Sequence, residues 1–224
     1  MKLLIVNNSN TICNYSKLEW YGTIQYINYK ELPNTNLELL LSNINSILIT
    51  GGSQHIPNIE NYPELQFELK LIDIAIKKSI KIIGICLGFQ LINYYFGNKV
   101  IKLSKFCIGH HLLDINTINT NNIPNLDIEL LESAFSFHYD GIIDNTNPDI
   151  QILARSKPLE EYQNGLIYFI KHCKYPIFAI QNHPDADLNN IKKCIQQCLI
   201  EYNTFWTEEH YNKIFNNFFK LLLD

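Results

Sequence analysis

The stretch KIIGICLGFQLI, Lys81 to Ile92, decides how the rest of the chain is read. Its first half is a short β-branched apolar run, the mark of a buried strand, and its second half has helical spacing up to a stop at Gly97. Cys86 stands at the junction between Gly84 and Gly88. Paired glycines at such a point predict a sharp backbone turn or a close approach by another group. Strand, tight turn and helix with a nucleophile at the apex form the elbow that lifts a side chain above a sheet. A thiol there also lies in the positive field of a helix N-terminus, which favours thiolate. Read alone, the same cysteine could be a small buried hydrophobe.

Outward from this stretch, the chain alternates. LLIV (3–6), TIQYI (23–27), SILIT (46–50) and KIIGI (81–85) read as strands. PELQFELKLIDIAIKKS reads as a helix opened by Pro63, with Leu65, Leu69, Ile72 and Ile76 on one face. Alternation of this kind predicts a parallel sheet covered by helices. The second half is richer in strands: CIGHHLLDINT, AFSFHYDGI, IQILA, GLIYFI and PIFAIQ predict a mixed extension of the sheet. Two helices follow. Asp187 caps the first, with a stripe of Ile191, Cys194, Ile195, Cys198, Leu199 and Tyr202. Thr207 caps the second, whose stripe is Tyr211, Ile214, Phe215, Phe218 and Leu222. The second stripe suits docking onto the sheet or a partner.

Composition narrows the function classes. The 224 residues, 46% hydrophobic, suit one domain spanning 1–224, with a helical extension at about 204–224. A net charge of −4 argues against a nucleic-acid surface. Apolar runs are too short to span a bilayer, and the apolar stretch after Lys2 is too short for a signal-peptide core. Six cysteines without regular spacing point to free thiols and a cytoplasmic, reducing setting. Asn-rich runs such as 116–122 predict loops.

Ligands of open α/β sheets bind beyond the carboxyl ends of the strands, where three segments should converge. Cys86 is the first. Gly51 and Gly52 of ITGGS are the second, directly after a strand, and could offer backbone N–H groups to an oxyanion together with Leu87. His183 and Asp185 of IQNHPD are the third: an imidazole to take the thiol proton and a carboxylate to hold its tautomer.

GICLGFQ, ITGGS and IQNHPD resemble signature segments of the class I glutamine amidotransferase family, and SFHYDGI (136–142) resembles its pocket-lining segment. The matches occur in family order and span roughly residues 46–187. The resemblance implies a flavodoxin-like three-layer α/β sandwich with a mixed, mainly parallel sheet and a nucleophile elbow. It also implies Cys86 as nucleophile, His183 as base and Asp185 as orienting acid, with Gly52 and Leu87 as the oxyanion hole. Gln90, Gly51, Ser136, Phe137 and His138 would contact the substrate, glutamine or a γ-glutamyl compound. Neither metal nor organic cofactor is implied. The chain departs from the family at Asp185 (usually Glu), Phe89 (His or Met), Ser53 (Pro) and Asn182 (an aromatic).

The resemblance implies that ammonia normally passes to a synthetase domain, and this sequence carries no G-x-x-x-x-G-K-[ST] loop, which leaves either a separate synthetase subunit as partner or a free-standing hydrolase. GGSQHIPNIENY and SFHYDGI are similar to the γ-glutamyl hydrolase branch, which leaves a free-standing hydrolase as an alternative. A lapsed amidotransferase-like module that binds a partner is the third reading. His110, His111 and Asp114 do not make a metal site in this reading, because strand neighbours point to opposite faces.

Overall fold

The computed structural model describes residues 1–9, 15–111, 113–115, 123, 127, 135–198 and 207–222. The Asn-rich run 116–122 lies outside these residues, as do Leu199, Tyr202 and the side chains of Cys194, Ile195 and Cys198.

The strands are β1 (Lys2–Asn7), β2 (Thr23–Asn28), β3 (Ser46–Ile49), β4 (Lys81–Ile85), β5 (Ile101–His110), β6 (Leu113–Ile115), β7 (Phe135–Gly141), β8 (Ile150–Ser156), β9 (Ile167–His172) and β10 (Ile177–Ile180). The helices are α1 (Leu37–Leu40), α2 (Leu65–Lys77), α3 (Leu87–Tyr95), α4 (Leu188–Cys198) and α5 (Glu208–Phe219). Eight strands form one sheet in the order β2-β1-β3-β4-β10-β9-β8-β6. The first five run parallel, and β9, β8 and β6 are antiparallel additions.

Every central strand buries both faces, as a sheet between two helical layers must. Leu3 and Ile5 of β1, Leu48 of β3 and Ile83 and Ile85 of β4 pack with Ile191 of α4 and with Ile214, Phe215 and Phe218 of α5. Leu4, Val6, Ile47, Ile49 and Ile82 face the other way, toward α1, α2 and α3. The alternate residues of one strand thus feed two separate cores.

Three features differ from the expectation drawn from sequence. α2 begins at Leu65, and its buried face is Leu65, Glu68, Leu71, Ile72 and Ala75, with Leu69 and Ile76 only partly covered. Pro63 lies in the turn ahead of that helix, where its carbonyl accepts from the Gln66 N–H. β5 and β7 do not extend the main sheet; they pair with each other as a separate antiparallel ribbon. That ribbon carries a bulge between Lys102 and Cys107, and bulges bend a ribbon away from a flat sheet. The α5 stripe meets expectation, with Tyr211, Ile214, Phe215, Phe218 and Leu222 all buried against the chain's own sheet.

Register places the ends of four strands together. Val6 pairs with Ile49, Ile49 with Gly84, and Ile85 with Ile180. Asn7, the last residue of β1, and Thr50, Cys86 and Gln181, each just beyond its strand, therefore lie at one edge of the sheet.

Candidate active site

Cys86 has φ 52° and ψ −101°, in the left-handed half of backbone space that a side chain avoids. Two backbone hydrogen bonds hold the strained residue in place. The Cys86 N–H donates to the Ile180 carbonyl at 2.9 Å, and its own carbonyl accepts from Gln90 N–H at 3.0 Å in the first turn of α3. The flanking glycines provide the space. A Cβ on Gly84 would lie 2.6 Å from Ile92 Cδ1, and one on Gly88 would strike the Ile49 carbonyl. The glycines thus let α3 sit hard against β3 and β4 while the thiol projects outward.

His183 follows β10, and its N–H donates to the Phe135 carbonyl at 2.7 Å, an isolated bridge that ties the β7 ribbon to this loop. Its Nδ1–H donates to Asp185 Oδ1 at 3.2 Å. The imidazole edge bearing Nε2 is turned toward Gly51 and Cys86: a Cβ on Gly51 would be 2.7 Å from His183 Cε1, 3.5 Å from Nε2 and 3.3 Å from Cys86 Cβ. Gly51 is therefore the spacer between the two side chains, and only hydrogen fits there. The Cys86 Sγ also lies 3.8 Å from the Phe137 carbonyl oxygen.

Electrostatics follow from this contact. Burial acts to lower the His183 pKa, but the negative charge of Cys86 and the hydrogen bonds to Asp185 and Cys86 outweigh it. The imidazole is held well above its ordinary value. Burial likewise acts to raise Asp185, but the hydrogen bond and charge of His183 prevail and hold the carboxyl below its usual range. Both shifts run in the direction that favours a charged imidazole–carboxylate pair. Tyr15, which sequence reasoning passed over, donates its hydroxyl to Asp185 Oδ2 at 2.5 Å. Lying 170 positions before Asp185, it offered no sequence signal.

These groups open on a cavity of about 490 Å³, with Gly51, Gly52, Cys86, Phe137, His183 and Asp185 in its wall. Asn7 and Ser9 from the end of β1, Phe135 from β7, and Asn190, Ile191 and Lys193 from α4 complete much of the lining. The strand-end rule would have found Asn7 and Ser9; Phe135 follows from alternation with Phe137.

The same alternation turns Ser136 and His138 away from the cavity. His138 is buried, its Nδ1 bonded to the Asp140 carbonyl at 2.9 Å and its Nε2 to the Tyr168 hydroxyl at 3.2 Å. Burial pushes its pKa down to about 3. The Ser136 hydroxyl meets the same Tyr168 hydroxyl at 3.3 Å. Gln90 is buried behind the elbow and donates to the Asp140 carbonyl at 3.0 Å and to Gln181 Oε1 at 3.2 Å, joining α3, β7 and the end of β10. Leu87 opens α3, so its N–H belongs to the helix's unpaired first turn. His110 sits at the end of β5 against Tyr211, 3.2 Å from its hydroxyl. Among the described residues, no three His, Cys, Asp or Glu side chains gather as a metal site.

Residues 7–202 match the profile of the glutamine amidotransferase class-I family. The chain belongs to this family. It is similar to a glutamine amidotransferase-like protein of Acanthamoeba polyphaga mimivirus, 30% identical over 147 residues that make up 66% of this chain and 60% of that protein. It is also similar to a glutamine-hydrolyzing subunit of the GMP synthase of Pyrococcus abyssi, 29% identical over 173 residues, covering 74% of this chain and 81% of that subunit. The fold is shared with a glutamine amidotransferase structure from Thermotoga maritima at a TM-score of 0.76 and 16% identity, over 100% of this chain and 98% of the other. The sheet between two helical layers is thus the flavodoxin-like amidotransferase fold. No helix among the described residues is long and apolar enough to cross a membrane.

Proposed function

We propose that this amidotransferase-family chain hydrolyses the γ-amide of glutamine through a thioester on Cys86. The observation that carries the reading is the contact of a strained elbow cysteine with the His183–Asp185 pair in the wall of one cavity. The Cys86 thiolate attacks the γ-carbonyl carbon, and the displaced electron pair settles on oxygen. That oxyanion is held by the N–H groups of Gly52 and Leu87, one from the strand end and one from the first turn of α3. His183 gives its proton to the departing nitrogen, ammonia leaves, and the thioester remains. Water, deprotonated by His183, attacks the thioester carbon, and glutamate leaves with Cys86 restored. Asp185 keeps the imidazole in the Nδ1–H tautomer throughout.

Ammonia then passes to a separate synthetase subunit, a reading supported by the match across most of a relative that is itself named as a subunit. Cleavage of larger γ-glutamyl compounds at the same thiol is the second reading. It is favoured by the cavity's 490 Å³, a size that holds ligands well beyond glutamine.

The test is release of ammonia and glutamate by the purified chain, alone and with a candidate synthetase, against release from γ-glutamyl peptides. Glutaminase activity that rises with the synthetase supports the subunit reading, and faster peptide turnover by the chain alone selects the hydrolase. A diazoketone analogue of glutamine should add once, on Cys86. Addition elsewhere, or equal addition to Cys86→Ser, would remove the thioester from the scheme.

A further inference from the structure

We propose that Tyr15 is a positioning residue for the Cys86–His183 pair: its hydroxyl holds Oδ2 of Asp185 so that Oδ1 faces the imidazole. The inference rests on the thiol chemistry proposed above and adds a residue to it.

Asp185 is nearly fully buried, and a buried carboxylate needs hydrogen-bond donors for both oxygens. His183 donates to Oδ1 at 3.2 Å and Tyr15 to Oδ2 at 2.5 Å, and the backbone N–H of Asp185 itself adds a further hydrogen bond to the carboxylate. Without the phenol, Oδ2 would lose its side-chain donor and the carboxylate would be freer to turn about its last bond. With side-chain donors on both oxygens, its plane is set. The chemistry of the second donor also matters. Lysine or arginine at that place would neutralise the carboxylate and weaken its hold on imidazolium, whereas a phenol orients the group without adding charge. The hydroxyl helps keep Asp185 ionised by lowering its proton affinity.

Tyr15 is itself held in place. It opens a 3₁₀ segment, Tyr15–Tyr21, and is buried. Its ring meets Phe219 of α5 edge-on, with centroids 6.2 Å apart. The segment is fastened to α5 again by Lys17, which donates to Asn212 Oδ1 at 2.6 Å and lies 5.6 Å from the Phe215 ring centroid. A chain of contacts therefore runs from α5 through Tyr15 and Asp185 to His183 and Cys86. The titratable groups acting on His183 are Cys86 on the elbow and Asp185 on its own turn; Lys193 of α4 and Tyr15 line the same cavity, and the buried His138 lies behind its wall.

The experiment is a double-mutant cycle of Tyr15→Phe with Asp185→Asn, read by glutamine turnover and by proton NMR of the His183 Nδ1–H, assigned through His183→Gln. Tyr15→Phe should lower kcat about tenfold with KM unchanged, the rate equivalent of one charge-assisted hydrogen bond. It should also broaden the Nδ1–H signal by exchange and move its loss on acidification to higher pH, because Asp185 protonates more readily. In the Asp185→Asn background the same change should cost nothing further. Retention of both the signal and kcat in Tyr15→Phe, or an equal loss in the two backgrounds, would overturn the proposal. If Tyr15→Phe does not fold, 2,3-difluorotyrosine in place of Tyr15 keeps the ring and strengthens the donor. The acid midpoint of the signal should then fall, and an unmoved midpoint would overturn the proposal. The NMR readout needs no turnover, so a wild type with the signal but no ammonia release would defeat the amidase reading alone.

Discussion

Among single residues, Asp185 is the informative one, because the sequence resemblance implies a glutamate, one methylene longer, at its place. In the proposed triad, a close backbone would offset the shorter side chain. The His183–Asp185 turn is drawn in by the Ala186 N–H to His183 carbonyl bond at 3.2 Å and pinned by the bridge to Phe135. With both carboxylate oxygens already engaged, a longer side chain has nowhere to go. Asp185→Glu should therefore lower kcat, by about a hundredfold if the carboxylate is displaced by an ångström. Steady-state kinetics on glutamine at fixed pH checks this; a variant as fast as wild type would mean that the turn can yield.

Among the helices and strands, α5 is a structural helix whose packing reaches the site. Thr207 accepts from the His210 N–H at 3.3 Å as its N-cap, and Glu208 and Glu209 sit at its positive end. Phe218 is fully buried and lies against Phe169 of β9 and Phe219. Phe218→Ala should destabilise the fold by about 3–5 kcal/mol, and Thr207→Ala by about 1 kcal/mol. Urea denaturation followed by far-UV circular dichroism would measure both. Because Phe219 seats the Tyr15 ring, loosening α5 should also lower activity below the denaturation midpoint. The elbow shows the same interdependence: α3 can lie on β3 and β4 only because Gly84 and Gly88 leave room for it.

For the protein as a whole, two buried groups bear on the response to pH in opposite senses. Glu68 of α2 is fully buried beneath the ends of β1 and β3, where Asn8 Nδ2 donates to its Oε2 at 3.1 Å. Burial outweighs that bond and pushes its pKa up to about 8 from an unfolded value near 4.5. Between those values the folded chain holds a proton that the unfolded chain has released, so stability falls as pH rises from about 4.5 to 8. His138 works in the opposite sense: with its pKa lowered to about 3, stability falls as pH drops below about 6.5. Glu68→Gln keeps the shape without the ionisation. It should flatten the upper window and raise the melting temperature at pH 8, an effect on the order of a few kcal/mol. Thermal melts from pH 5 to 8 would test it; parallel curves for the two proteins would show that Glu68 does not control the slope.

Much of this protein is legible in the chain because the governing physics is local. The strand–glycine–cysteine–glycine–helix order dictates an elbow, short β-branched runs between helical stretches dictate a parallel core, and residues that directly follow strands must gather at the carboxyl edge. Those rules bring Cys86, Gly51, His183 and Asp185 to one place from the sequence alone. Strand alternation, also local, separates Phe137 from Ser136 and His138, whose hydrogen bonds to Tyr168 lie behind the cavity wall. What the chain alone could not decide depended on partners distant in sequence. The pairing of β5 with β7 apart from the main sheet, the buried hydrogen bonds of Gln90, the raised pKa of Glu68 and the Tyr15 hydroxyl on Asp185 all arise from contacts made only after the chain has closed on itself. Periodicity records which face a residue turns inward, but the group it meets there is set by packing.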